Sequence, residues 1–544
     1  MVESKNTAKK SFLSGVLLLS LSTVLVKIVG FVYKIPMLSY LGSVGMGYFH
    51  SAYEIYAMFC VIATAGLPVA LSLLISAALA RGDRGRVKGI FQVGIRIFFV
   101  VGLVGSGIMA ALAPAFCRMI RSDNARDCIL AIAPTVFFVC LSSAYRGYFQ
   151  GYQRMMPTAI SQLIEAVGKL IFGVLFAQMA LQRGMEPPKI AAAAGWGLTL
   201  GSVFSTLYLM LEKIRFDNRE RKQAQACKES VVGARAPILR PLAKLAIPMT
   251  LGASAVSLTK LIDMAMILRR LQSIGLTEIA ANEAYGSYTT LALSIYSLLP
   301  SLVGTIALPL IPILSSAIEM GDQERQRSMI RASYHLTCIL AIPAALGVAA
   351  FAGPILSLLF GREAEAVAQT APLLSMLGIS IFLSCMITAS NSVLHAYRSV
   401  NRPILSMLAG AVVKVTLAYL LIGIPSIGIL GAPISTFACN LTVVSLNLFF
   451  AAKLQKIDDL IPVLAKPFAA SVPSVGIPFC LYRLLAMQMG ESAGLSISCL
   501  SLVVVLYAFF ACILGVITAE DLASFPMGKQ LCGLFMKIHL LRAD

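Results

Sequence analysis

Residues 23–42 read TVLVKIVGFVYKIPMLSYLG, an apolar run with one lysine, Lys27, near its middle and a second, Lys34, seven residues on. A cation at the centre of a membrane helix costs about 2.5–3.5 kcal/mol on insertion scales. The run is typical of the chain. Its 544 residues are 58% hydrophobic and 13% charged, with a mean hydropathy of +0.84. A soluble domain sits at roughly 45–50% apolar and about 25% charged, so the composition is that of an all-α integral membrane protein. The N-terminus resembles a signal peptide, but its apolar run continues to Gly42, which reads as an uncleaved first helix. The net charge of +19 does not imply nucleic acid, because most basic residues fall in short loops between apolar runs, where they report topology. The twelve cysteines show no CxxC and read as small hydrophobes within helices. Cys117 and Cys128 flank one loop and are open to a disulfide if that loop faces an oxidising side.

A spanning helix needs about 20 mostly apolar residues. Fourteen transmembrane helices are expected: 12–41, 48–80, 89–116, 128–150, 157–181, 190–212, 242–270, 284–317, 332–357, 366–394, 403–423, 427–452, 462–486 and 494–518. With the N-terminus in the cytoplasm, inside segments collect 29 Lys and Arg, counting Arg146 near the inner end of the fourth helix with Arg154 after it, and outside segments collect 9. That bias puts both termini of a multi-pass protein on the cytoplasmic side of the membrane. Six basic residues remain at membrane depth: Lys27, Lys34, Arg96, Lys169, Lys260 and Lys414.

The polar segment 213–241 divides two six-helix lobes, 1–212 and 242–452, that resemble each other. Residues 453–518 add two C-terminal helices, and 519–544 form a cytoplasmic tail. Lys27 precedes Gly42 by fifteen residues, and Lys260 precedes Gly275 by the same number. Gly82-Asp83 recurs as Gly321-Asp322, and Tyr152, Pro157 and Lys169 recur as Tyr397, Pro403 and Lys414, with seventeen residues from Tyr to Lys in both. Six helices separate the paired elements, so the repeat is parallel, and in such transporters the site lies near the midplane between the halves. Lys27 lies about 22 Å from either helix end at 1.5 Å per residue, too far for its side chain to reach the interface. The lysines are therefore expected to line a shared cleft whose substrate is anionic.

Other readings stand beside this one. Lys169 has Glu165 four residues earlier, and Lys260 has Asp263 three later, spacings that also suit structural ion pairs. Lys34 is either a second rung of the cleft or an interfacial anchor, and Arg96 reads as interfacial. Glu54 reads as interfacial, with a gating or ion-coupling role as the alternative. Gly66, Pro68, Pro300 and Pro309 are expected to bend helices two and eight and serve as hinges. The four histidines have no metal spacing, and the sequence carries no Walker A, HExxH or GxSxG motif. An ATP-driven pump or a soluble-type enzyme is not expected, and no cofactor or metal is implied.

The stretches VKIVGFVYKIPMLSYLGSVGMGYFHSAYEIY, ATAGLPVALS and YRGYFQGYQRMMPTAISQLIE resemble the stage V sporulation protein B branch of the polysaccharide and lipid II flippases. That superfamily also holds the multidrug/toxin extrusion antiporters. The resemblance implies two lobes in a V, alternating access and a cationic central cavity for a pyrophosphate. It also implies a groove for a lipid tail formed by the last two helices, 462–518. Lipid II flippases carry Arg-x-x-Gly-Phe-x-Arg in helix one. Here Lys27, Gly30 and Phe31 keep the pattern, Tyr33 departs from it, and Lys34 stands beside it as the substitute charge. The arginines those flippases place in helices two and eight have no counterpart in 55–80 or 284–317.

The expected function is a secondary transporter that flips a lipid-linked pyrophosphate cell-wall precursor, lipid II or a related undecaprenyl-linked saccharide, to the outer leaflet. Lys27, Lys34, Lys169, Lys260 and Lys414, with Tyr33, would bind the substrate, and Glu165 and Asp263 would tune the lysines. Membrane lipids, a coupling ion or the membrane potential, and peptidoglycan synthesis enzymes are the expected partners. The rivals are a non-transporting sporulation or peptidoglycan assembly factor, a multidrug cation antiporter and a membrane-embedded transferase. The antiporter would favour buried carboxylates over lysines, and the transferase would turn over lipid substrate without vesicles. The orientation has a direct test: green fluorescent protein fused after Asp544 should fluoresce, and alkaline phosphatase at the same position should be inactive.

Overall fold

The computed structural model describes residues 2–226, 239–307, 310–399, 401–454 and 460–516, and every regular element among them is helical. Pro309, the centre of the expected linker and the expected tail lie outside these residues. The first compact unit runs to Ser287 and the second begins at Tyr288.

The first unit contains α1 (Val2–Thr64), α2 (Leu67–Ala80), α3 (Arg84–Ala111), α4 (Ala113–Ile120), α5 (Arg126–Gly151), α6 (Met156–Gln182), α7 (Pro187–Ala226), α8 (Leu239–Ser273) and α9 (Glu278–Ser287). The second contains α10 (Leu293–Ala307), α11 (Leu310–Glu319), α12 (Gln323–Ala350), α13 (Ala352–Phe360), α14 (Ala364–Ala396), α15 (Asn401–Ile422), α16 (Gly431–Leu454), α17 (Leu460–Met489) and α18 (Ala493–Ile513). Among the described residues eleven stretches are long and apolar enough to cross a membrane, and the first, Ser22–Ala80, covers both the expected helices one and two.

Helix α1 is not one rod. Tyr33 and Phe49 are sixteen residues apart, about 24 Å along a straight helix, yet their ring centroids lie 6.2 Å apart. The chain therefore doubles back at Gly42, whose φ of 64° and ψ of 175° are non-helical and suit a residue without a Cβ. Gly275, its repeat counterpart, also has positive φ, 101°. The correspondence recurs at Gly82 and Gly321, both at φ 71°, and at Gln153 and Arg398, at 57° and 55°. Asp83 accepts from the Arg86 backbone N–H at 2.8 Å, and Asp322 accepts from that of Arg325 at 3.0 Å. Each caps the helix that follows. The sequence repeat is thus also a repeat of local backbone conformation.

Helix ends differ from the sequence reading where polar groups intervene. The expected span 89–116 stops at Ala111 and is followed by the short α4, with Pro114 in its first turn. Helix α7 continues into the polar segment as far as Ala226. The expected span 284–317 is broken up, with a π-helical turn at Tyr288–Ala292 and Pro300 inside α10. Cys117 and Cys128 are both free thiols, and burial pushes Cys117 up to about 11.

Small residues let helices of the first unit meet backbone to backbone, the usual packing device where lipid supplies no hydrophobic drive. A Cβ on Gly197 of α7 would collide with the Gly173 backbone of α6. One on Gly201 would come 2.8 Å from both the Glu165 carbonyl and the Lys169 nitrogen. Polar steps a heptad apart tie α7 to α5. Thr135 and Thr199 hydroxyls lie 2.7 Å apart, and Ser142 and Thr206 hydroxyls 2.8 Å apart. In the second unit Asn440 donates to Tyr296 Oη at 2.8 Å, and Asn447 donates to Asn391 Oδ1 at 2.8 Å. The α12–α14 core there is built around Tyr334, Cys338 and Met386.

Overpacking costs about 1–3 kcal/mol. Gly197→Val should therefore lower the melting temperature of the detergent-solubilised protein by several degrees. Gly107→Ala, where nothing lies within 4 Å of an added Cβ, should leave it unchanged.

Candidate functional site

Two groups of the expected site residues lie in the first unit, one around the α1 hairpin and α6, the other on α1 and α8. The first is anchored by a residue that the sequence reading counts only among the cytoplasmic-side charges. Arg146 belongs to α5, five residues before its end, and is largely buried. Its guanidinium pairs with the Glu165 carboxylate at 2.8 Å and donates to Ser161 Oγ at 3.0 Å and Ser205 Oγ at 3.2 Å. One planar cation thus clamps α5, α6 and α7. Its fork of donors suits this geometry, where the point charge of lysine would not. Glu165 therefore takes Arg146 as its ion-pair partner, and the structural pairing with Lys169 that the four-residue spacing allows is not formed. No periodicity marks Arg146 in the sequence. The one signal was Thr135 and Ser142, small polar residues a heptad apart on the same apolar helix.

Lys169 lies over aromatic rings instead. Its ammonium is 4.8 Å from the Tyr33 ring centroid, 5.7 Å from that of Phe49 and 4.7 Å from that of Tyr53. Ring faces attract a cation, the more so when desolvated. Tyr33 comes from one arm of the hairpin, Phe49 and Tyr53 from the other, so the reversal at Gly42 builds the cage. Lys34 lies within electrostatic reach of Lys169 and Glu54. His50 is within reach of Lys34 and Lys169. His50, Phe49 and Tyr53 were missed by the sequence reading because they gain meaning only once the hairpin folds.

The second group is Lys27 on α1 with Lys260 and Asp263 on α8. Helices α1 and α8 pack together, both lysines are exposed, and Asp263 is half-buried. The two like charges lie within electrostatic reach of each other. Lys414 is half-buried on α15 of the second unit.

The expected hinge in helix two coincides with a break between α1 and α2. Gly66 is the N-cap of α2, with Pro68 in its first turn, and a Cβ there would run into the Ala246 carbonyl of α8. At the end that the charge bias puts outside, Glu278 Oε1 accepts from Ser122 Oγ at 3.2 Å, from Asn124 Nδ2 at 3.1 Å and from the Asn124 backbone at 3.3 Å. The Asn282 amide donates to Ser122 Oγ at 3.0 Å. These contacts clasp α9 to the loop before α5.

Comparison with known proteins gives a consistent picture. The family model described as lipid II flippase MurJ matches residues 123–475, and the MatE model matches 5–175. Stage V sporulation protein B of Bacillus subtilis is 25% identical over 491 residues, covering 90% of this chain and 93% of that protein. Lipid II flippase MurJ of the same organism is 24% identical over 418 residues, covering 74% and 76%. Among solved structures, lipid II flippase MurJ in an inward closed conformation matches with a TM-score of 0.68 at 14% identity, over 91% of this chain and 98% of that one.

Removing one partner of a buried pair costs about 3–5 kcal/mol, because the other charge is left uncompensated. Arg146→Met should therefore destabilise the protein by about 3 kcal/mol, the low end of that range given the partial exposure of both side chains. Arg146→Met/Glu165→Met should recover part of that loss, and a thermal-unfolding double-mutant cycle would measure the coupling.

Proposed function

The chain belongs to the lipid II flippase MurJ family, and on that premise we propose that it carries a lipid-linked, pyrophosphate-bearing saccharide from the cytoplasmic to the outer leaflet of a bacterial plasma membrane. Lipid II or a related undecaprenyl-linked precursor is the proposed substrate. The observation that carries this reading is the pair Lys27 and Lys260: repeat-related, at membrane depth by sequence, exposed and within reach of each other. Two like charges near a hydrocarbon phase each raise the cost of the other. A diphosphate bridging them converts that repulsion into binding, and lysine, a flexible point charge, accommodates a phosphate that changes position during transport. Asp263, one turn from Lys260, tunes the pair. Lys414 joins the proposed set through its repeat correspondence. The break at Gly66 and Pro68 is the proposed hinge, and the lipid tail is assigned to the groove of the last two helices.

A second reading, an assembly factor that does not transport, is supported by the similarity to stage V sporulation protein B across most of both chains. It differs in what it requires of the lysines. Native mass spectrometry of the purified protein with lipid II, undecaprenyl phosphate and cardiolipin separates the two. Wild type should prefer lipid II, and Lys27→Gln/Lys260→Gln should lose that preference at least tenfold. Equal binding by both proteins would remove the support for a lysine headgroup site.

A further inference from the structure

We propose that Glu278 latches a gate at the end that the charge bias puts outside, and that the π-helical turn Tyr288–Ala292 is the hinge on which α9 opens it, resting on the flippase reading for what the gate admits and on the geometry for its existence.

The division into units points there first. By sequence α8 and α9 open the second lobe, yet they pack into the first compact unit, which runs to Ser287. The change of unit falls at the π-helical turn, a rare element that is frequent at functional sites. Two buried hydroxyls there, Ser287 Oγ and Thr290 Oγ1, have no hydrogen-bond partner among the described residues. A serine or threonine inside an α-helix can donate to the carbonyl four residues back. A return of the turn to α-helical register therefore gives both hydroxyls an acceptor, and the turn has a second arrangement open to it.

The contact that α9 makes is built to part. A Cβ on Gly47 would lie 2.1 Å from the Asn282 carbonyl oxygen, and one on Gly286 would lie 2.0 Å from that of Ser43. Helix α9 thus meets the second arm of α1 through bare backbone, with no large side chain to disengage at either glycine. The hold comes from the polar clasp. Glu278 Oε1 gathers three donors from Ser122 and Asn124. Asn282 closes the ring, donating to Ser122 Oγ and, at 2.9 Å, to the Glu278 carbonyl. Gln272 donates to the Arg121 carbonyl at 2.9 Å. Bonds to a carboxylate are stronger than bonds between neutral groups, but Glu278 is only half-buried, so water can replace each donor as the clasp opens. Such a contact holds firmly and exchanges readily, as a latch must.

The clasp has no twin in the other copy. The offset that relates Lys27 to Lys260 also relates Gly45 to Glu278 and Phe49 to Asn282. A glycine and a phenylalanine supply neither the carboxylate nor the amide, so the latch is asymmetric.

The experiment is maleimide labelling of the full-length protein in detergent, without lipid substrate, read peptide by peptide in a mass spectrometer. The probe is Ala281→Cys, at a fully buried position of α9. Adding Glu278→Gln should speed labelling at 281 about tenfold or more, because a charged acceptor is lost. Adding Thr290→Val, which removes a hydroxyl that the second arrangement engages, should slow it. Native Cys140, fully buried in α5, should label no faster in either variant, which separates gate opening from unfolding. If Ala281→Cys does not fold, hydrogen exchange of the α9 amides in Glu278→Gln, compared with those of α5, reads the same opening. Equal rates at 281 with and without Glu278→Gln, or a rise matched at Cys140, would overturn the proposal. A gate that opens as described in a protein that fails to bind lipid II would leave the latch standing and overturn the flippase reading alone.

Discussion

The pairing of Arg146 with Glu165 is the interaction on which the first unit depends. Neither charge can be left alone in so buried a setting, and each is presented by a different helix. The pair therefore fixes how α5 and α6 meet, while Ser205 brings α7 into the same network. Once α6 is fixed, the small-residue contacts through Gly168 and Gly173 set its rotation, and that rotation turns Lys169 toward the aromatic hairpin. Electrostatics chooses the helices, close packing sets their phase, and the phase decides which cation meets which ring.

The two repeats share their backbone devices but not their buried chemistry. The offset that relates Tyr152 to Tyr397 also relates Arg146 to Asn391. Arg146 is a cation held by a carboxylate, whereas Asn391 is a neutral amide that accepts from Asn447. Glu165 likewise corresponds to Gly410, a position so tightly packed that a Cβ would meet Val443. Duplication preserved the turns and caps that shape the chain. At these two positions the charge stands in one copy only, whereas Lys27 and Lys169 keep their counterparts Lys260 and Lys414.

Much of this fold was legible in the residues, for physical reasons. Long apolar runs report helices, Gly42 and Gly82 report turns because only glycine adopts positive φ without cost, and Asp83 and Asp322 report helix starts. The spacing of Lys27 and Lys260 from their glycines identified a repeat that the backbone reproduces at those glycines. Pairing was not legible. Glu165 and Lys169 are neighbours on one helix, yet the carboxylate is taken by a guanidinium nineteen residues upstream, because tertiary packing offered Arg146 a better geometry than the i, i+4 contact. The cage rings were hidden for the same reason. Phe49 and Tyr53 read as ordinary apolar residues until the turn at Gly42 brings them beside Tyr33.

The cage also bears on how the protein is made. Its three rings lie between residues 33 and 53, while the lysine that covers them is residue 169. At about 5–20 residues per second of synthesis, the first hairpin enters the bilayer roughly 6–23 s before its cation exists. During that interval Lys34, His50 and Glu54 sit in a half-built interior with the ring faces uncovered. The hairpin is thus a late-maturing element despite being the first to emerge, and its final shape waits on the arrival of α6.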